Sequence, residues 1–194
     1  MWMVWVILGL GCNPAVAGSA DREAQAEAYR LSEEVDRLVK KGAWSGVERL
    51  YISAVKTGAP LSHDTHISGA RSSMQRGDAR SARSRLLAAY EVERDPATLE
   101  WLTTYSRQYT QVTLRADAGA ELQVERRHFD QERARVVDRA VELLKTTGQF
   151  DGLLPMGRYR VGAFWFTIKE DNEDIKADLR ACIKTASCVE PSPP

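Results

Sequence analysis

From Ala28 to Tyr105 the apolar residues of this chain recur three or four positions apart, and from Gln111 they recur two apart. That change of period turns one stripe of a helix into one face of a strand. It restricts the chain to an α+β fold in which a run of helices precedes a small sheet. The spacing predicts a first helix over 22–42, where Ala28, Leu31, Val35, Leu38 and Val39 share a stripe, with Asp21 as cap and Gly42 as stop. A second helix is expected over 44–57, carrying Val47, Leu50, Tyr51 and Ala54 and ending at Gly58 before the break at Ala59-Pro60. Asp64 to Arg76 and Ala79 to Arg94 form the next two, meeting at Gly77-Asp78. A fifth helix starts at Asp95-Pro96, with Asp95 as cap and Pro96 at its first position, and carries Leu99, Leu102 and Tyr105.

Laying Gly42 over Gly77 aligns the two helix pairs at a period of about 35 residues. Val35 then falls on Ala70, Val39 on Met74, Val47 on Ala82, Tyr51 on Leu86 and Ala54 on Ala89. Over residues 28–107 this resembles the tetratricopeptide repeat, and a generic array of helical hairpins is the alternative. Either way, a hairpin cannot bury its stripe alone, so the five helices should stack.

Past Gln108 the stretch Gln111–Asp117 alternates, with Val112, Leu114 and Ala116 on one face. Ala118-Gly119 reads as a turn and Ala120–Arg126 as a second alternating segment. A helix is expected over 129–147, striped by Val136, Val137, Ala140, Leu143 and Leu144 and stopped by Gly148. Two more strands, Gly157–Val161 and Phe164–Ile168, flank the two-residue loop Gly162-Ala163, a hairpin signature. Phe164, Phe166 and Ile168 would face the core, with Trp165 and Thr167 opposite. The expected order is ββαββ, one sheet covered by one helix. The stretches Val112–Leu122 and Leu153–Val161 resemble the opening and the later segment of a PEGA domain, a small β domain of bacterial envelope proteins. Here Ala118 stands where that family usually has a proline, and a helix stands where it has short turns. The resemblance implies a cell-envelope setting and no particular chemistry. A last short helix is expected over 171–183, then a flexible tail.

The N-terminal end points the same way. Met1 to Ala20 carries no charged residue, and its apolar run through Leu10 is too short to cross a bilayer but suits a signal-peptide core. Two processing sites compete. Ala15-Val16-Ala17 is a small-x-small cleavage site, whereas Leu8-Gly9-Leu10-Gly11-Cys12 resembles a bacterial lipoprotein lipobox, which would place a lipid on Cys12. Asn13 to Ala20 then reads as a tether. Residues 1–20 are thus a leader, 21–108 a helical domain, 109–170 the β domain and 171–194 a C-terminal segment. Setting Cys12 aside leaves Cys182 and Cys188, which an oxidising compartment can join in a local disulfide; two free thiols are the alternative.

Chemistry is sparse. The formal net charge is zero, so no global field draws the chain to nucleic acid. His63 and His66 are spaced to share a helix face, but a zinc site takes three or four ligands, and capping by Ser62 or Asp64 with exposed histidines is the plainer reading. No metal or cofactor is expected, and no catalytic constellation is present in the sequence. Trp44 and Trp101 are expected between helices. Trp165 is the candidate interface residue, with Tyr159 as a second. The function expected on these grounds is a non-catalytic, periplasmic or outer-membrane-anchored protein that binds other envelope proteins as a scaffold or adaptor. The alternatives are a pilotin-like lipoprotein that helps an envelope complex assemble, and an envelope enzyme with an unrecognised site.

Overall fold

The structure, a computed structural model, describes residues 14–125, 129–170 and 173–180. Five helices lead: α1 (Pro14–Lys40), α2 (Trp44–Lys56), α3 (His63–Gln75), α4 (Ala79–Val92) and α5 (Pro96–Gln108). The second half holds β1 (Tyr109–Arg115), β2 (Leu122–Val124), α6 (Gln131–Thr147), β3 (Gln149–Pro155), β4 (Gly157–Val161), β5 (Phe164–Ile168) and β6 (Ile175–Asp178). The fold is α+β, a helical array followed by small sheets. Among the described residues no helix is long and apolar enough to cross a membrane.

Local chemistry sets the helix starts. Ser62, Asp78, Asp95 and Asp130 each accept a hydrogen bond from the backbone N–H three residues on, at 3.2, 3.1, 2.8 and 2.9 Å, which satisfies a donor that the helix leaves unpaired. Pro96 opens α5, where its missing N–H costs nothing. The first helix departs from expectation. It begins at Pro14 rather than at 22, so the stretch read as a tether from Asn13 to Ala20 is helical from Pro14 on. A proline at the first position preorganises that start, and Ala15, Ala17 and Ala20 are strong helix formers.

The strands differ more. Among the described residues the single four-stranded sheet is replaced by two three-stranded sheets, ordered β3-β1-β6 and β2-β4-β5. β3 has no counterpart in the expected order; it pairs antiparallel with β1 from Tyr109↔Pro155 to Arg115↔Gln149. β1 and β2 do not form a hairpin. The turn at Ala118-Gly119 carries the chain from one sheet to the other, and the Gly119 N–H donates to the Lys145 carbonyl at 2.8 Å. The expected helix over 171–183 is instead strand β6 where the structure describes it, parallel to β1 with Val112↔Ile175. The expected β4–β5 hairpin is present, with Val161↔Phe164 closing the loop at Gly162.

Two apolar clusters hold the molecule. The smaller joins Ala28 and Leu31 of α1 to Tyr51, Ala54 and Leu61. The larger crosses residue 108: Met74 and Leu86 from the helices share it with Val112, Leu114, Val136, Leu144, Leu154 and Tyr159. The turn between α3 and α4 docks on α6 so closely that a Cβ on Gly77, whose φ is +70°, would lie 2.2 Å from the Arg135 carbonyl oxygen. Only glycine suits both the left-handed backbone and that contact.

Candidate functional site

Helices α4 and α5 each bury one stripe and leave another uncovered. On α4, Ala79, Ala82, Leu86 and Ala89 are buried, while Leu87, one position off that stripe, is 50% exposed. On α5, Tyr105 is buried and Leu99 is 46% exposed, although the spacing places both on one expected buried face. The uncovered stripes look across at the polar face of the β3-β1-β6 sheet. Pairing puts Gln111 opposite Leu153, and Thr113 opposite both Asp151 and Lys176, all on one face, while Val112 and Leu114 on the other face are buried. Alternation along each strand causes this split.

The result is a groove of about 900 Å³ with α4 and α5 as walls and the sheet as floor. That volume falls within the range of ligand-binding clefts, about 300–1,000 Å³. Leu87, Leu99, Leu102 and Leu153 give it an apolar side. Asp151 marks its floor and is fully engaged: Arg80 Nη1 donates to Oδ2 at 2.5 Å, and Gln111 Nε2 and the Thr113 hydroxyl donate to Oδ1 at 2.6 and 3.3 Å. Arg80 thereby ties α4 to β3. Arg83, Lys176 and Asp174 complete the charged rim.

A second polar cluster lies between helices. Glu48 of α2 is only 7% exposed. Its carboxylate accepts from both terminal nitrogens of Arg85 at 2.6 and 2.7 Å and from the Ser72 hydroxyl at 3.1 Å, and Arg76 Nη1 lies 3.1 Å away. Burial alone pushes the Glu48 carboxyl up, but the hydrogen bonds and charge of Arg85, with help from Ser72 and Arg76, outweigh it and hold the group below the usual carboxylate range. Arg85 also donates to the Gly69 carbonyl at 2.8 Å and lies 4.2 Å from the centre of the Tyr51 ring. The cluster locks α2, α3 and α4 together.

The residues singled out in the sequence do not converge. His63 and His66 are not exposed, contrary to the plainer reading. His63 Nε2 meets the Thr98 hydroxyl of α5 at 3.0 Å, and His66 Nδ1 meets the Tyr51 hydroxyl of α2 at 3.0 Å. Their rings thus serve two different helix contacts. Burial lowers the His66 pKa, helped by the charges of His63 and Arg85. Among the described residues no group of three or more acidic, histidine or cysteine side chains could hold a metal. Tyr159 is 0% exposed, with its hydroxyl donating to the Pro155 carbonyl at 2.7 Å, which removes it from the candidate interface residues. It points inward because the pleat that turns Arg158 and the half-buried Arg160 to one face must bury the residue between them. Trp165 is half-buried opposite Arg160, with the Arg158 and Arg160 guanidinium groups 4.5 and 5.3 Å from its ring centre. It forms a cation-covered ring on the outer face of the second sheet rather than a bare apolar anchor. Cys12, Cys182 and Cys188 lie outside the described residues.

Sequence reasoning missed the groove. The one signal in the sequence is Leu87, a leucine beside rather than on the buried stripe of its helix. Lys176 and Asp151 carry no signal, because the segments that present them show no strand period long enough to read. Comparison with protein-family models, with curated proteins and with solved structures finds no match to this chain, so the tetratricopeptide-like and PEGA-like readings stand on the residues quoted for them.

Proposed function

We propose that this chain is a non-catalytic protein of the bacterial cell envelope that holds a partner protein in the α4–α5 groove while a lipid on Cys12 tethers it to a membrane. The observation that carries the docking part is the pair of half-exposed leucines, Leu87 and Leu99, on the groove wall. Large apolar side chains left in a concave, polar-rimmed setting are the usual mark of a docking surface. The wall is also rigid, because the opposite stripe of α4 is locked into the main core.

The first helix supports the tether. At 27 residues, α1 is about 40 Å long, whereas its hairpin partner α2 has 13 residues and covers only the C-terminal half. Between residues 18 and 28 of α1, Ala28 is the first that is buried. The half before it would then serve as a stalk between the apolar leader and the body, holding the groove off a membrane surface by about 20 Å.

The test isolates tagged full-length protein from host membranes. Mass measurement is expected to find diacylglyceryl-modified Cys12, and the Cys12→Ala variant is expected to leave the membrane fraction. Proteins that co-purify with the wild type should be lost with the Leu87→Ser/Leu99→Ser variant. An unprocessed N-terminus would end the tethered reading, and equal recovery of the same proteins with both forms would end the docking reading.

A further inference from the structure

We infer that the groove takes a short acidic amphipathic segment of its partner, one with leucine-like anchors flanked by carboxylates; this rests on reading the groove as a protein-docking site. The charges carry it. Three cations, Arg80, Arg83 and Lys176, line the groove against two carboxylates, Asp151 and Asp174. Asp151 is consumed internally by Arg80, Gln111 and Thr113. Among the described residues Arg83 and Lys176 have no carboxylate within ion-pair distance, since the ion pairs found at the groove reduce to Arg80–Asp151. Asp174, two residues from Lys176 on the same strand side, offsets only one of them.

The uncharged polar lining agrees. Ser84 and Ser106 present hydroxyls along the walls, and hydroxyls can donate to a carboxylate, whereas the Thr103 hydroxyl already donates to the Leu99 carbonyl at 2.8 Å. Along α4, Arg80, Arg83 and Leu87 follow one another at helical spacing, so cations and an apolar anchor alternate along one wall. Along α5, Leu99, Leu102 and Ser106 do the same with a hydroxyl in place of cations. A ligand that satisfies both walls must be apolar where it meets Leu87 and Leu99 and anionic where it meets Arg83 and Lys176. Rim charges of this kind steer encounter and select among partners more than they add affinity. The expected effect is therefore discrimination by sign and a marked salt dependence.

The test pans a displayed library of random 12-residue peptides against the full-length protein, with the Leu87→Ser/Leu99→Ser variant as counter-selection. Both leucines are about half exposed, so their replacement leaves the core in place. Enriched peptides are then synthesised, and their affinities are measured by fluorescence anisotropy at low and high salt. Groove-dependent peptides rich in Asp or Glu, losing tenfold or more in affinity on Arg83→Glu/Lys176→Glu, support the inference. Groove-dependent peptides that are neutral or basic, or that bind the charge-reversed variant equally well, overturn it while leaving the docking reading intact. Enrichment that ignores the leucine variant overturns both.

Discussion

Replacing Arg85 by methionine tests the account of the helical stack most directly. Methionine keeps much of the side chain's length and removes its charge. Glu48, 7% exposed, then loses both of its shortest hydrogen bonds, and Tyr51 loses the cation over its ring. Removing one partner of a buried ion pair costs about 3–5 kcal/mol when the other charge is left uncompensated, and Arg76, 3.1 Å from Glu48, keeps the cost toward the low end of that range. Glu48 has an escape, which is to bind a proton in the folded state. An ordinary glutamate has a pKa of about 4.3 and each pH unit is worth about 1.36 kcal/mol, so that route costs about 3.7 kcal/mol at pH 7 and about 1 kcal/mol at pH 5. The expected destabilisation is about 3–4 kcal/mol at pH 7, shrinking by about 2 kcal/mol at pH 5. In the wild type the sign is opposite. The Glu48 pKa is depressed on folding, so its contribution is full above the unfolded value and is lost only as pH falls through the folded one. Urea unfolding followed by far-UV circular dichroism at both pH values measures the difference. The double variant Glu48→Gln/Arg85→Met should be more stable than Arg85→Met alone at pH 7. A loss below about 1 kcal/mol at pH 7, or one that does not shrink at pH 5, refutes the reasoning.

Three further outcomes are expected. Gly77→Ala combines a left-handed backbone with a Cβ 2.2 Å from the Arg135 carbonyl oxygen, so it should cost more than about 2 kcal/mol and loosen the docking of α3–α4 on α6, read as faster amide exchange in α6. The buried Tyr105 hydroxyl has no hydrogen-bond partner among the described residues, so Tyr105→Phe should raise stability by about 1 kcal/mol in the same urea assay. Ser62→Ala removes the cap that accepts from the Thr65 N–H at 3.2 Å and should lower stability by about 1 kcal/mol, with helix content falling first at α3 on heating.

The α3–α4 hairpin joins the two halves of the molecule. Its inner stripe enters the larger core, its turn docks on α6, Asp78 pairs with Arg139 at 3.3 Å, and Arg80 reaches Asp151.

Local chemistry, legible in the sequence alone, determined most of the helical half. The stripe of Ala28, Leu31 and Val35, the stops at Gly42, Gly58, Gly77 and Gly148, and the caps at Asp95 and Ser62 act within a few residues of where they stand. The start of α1 escaped because alanine and small polar residues suit a helix as well as a tether, and residues 18–27 bury no apolar stripe. What only the tertiary structure decided is everything that depends on a distant partner. β3 exists because Phe150 and Leu154 line up with Leu114 and Thr110 across β1, and β6 because its four residues find the other edge of that same strand. Neither segment carries a period long enough to announce itself, since a strand's stability comes from its neighbours and not from its own sequence. The groove follows from those pairings: β1 holds Thr113 between Asp151 and Lys176, and two helix faces with no core left to cover remain open above them.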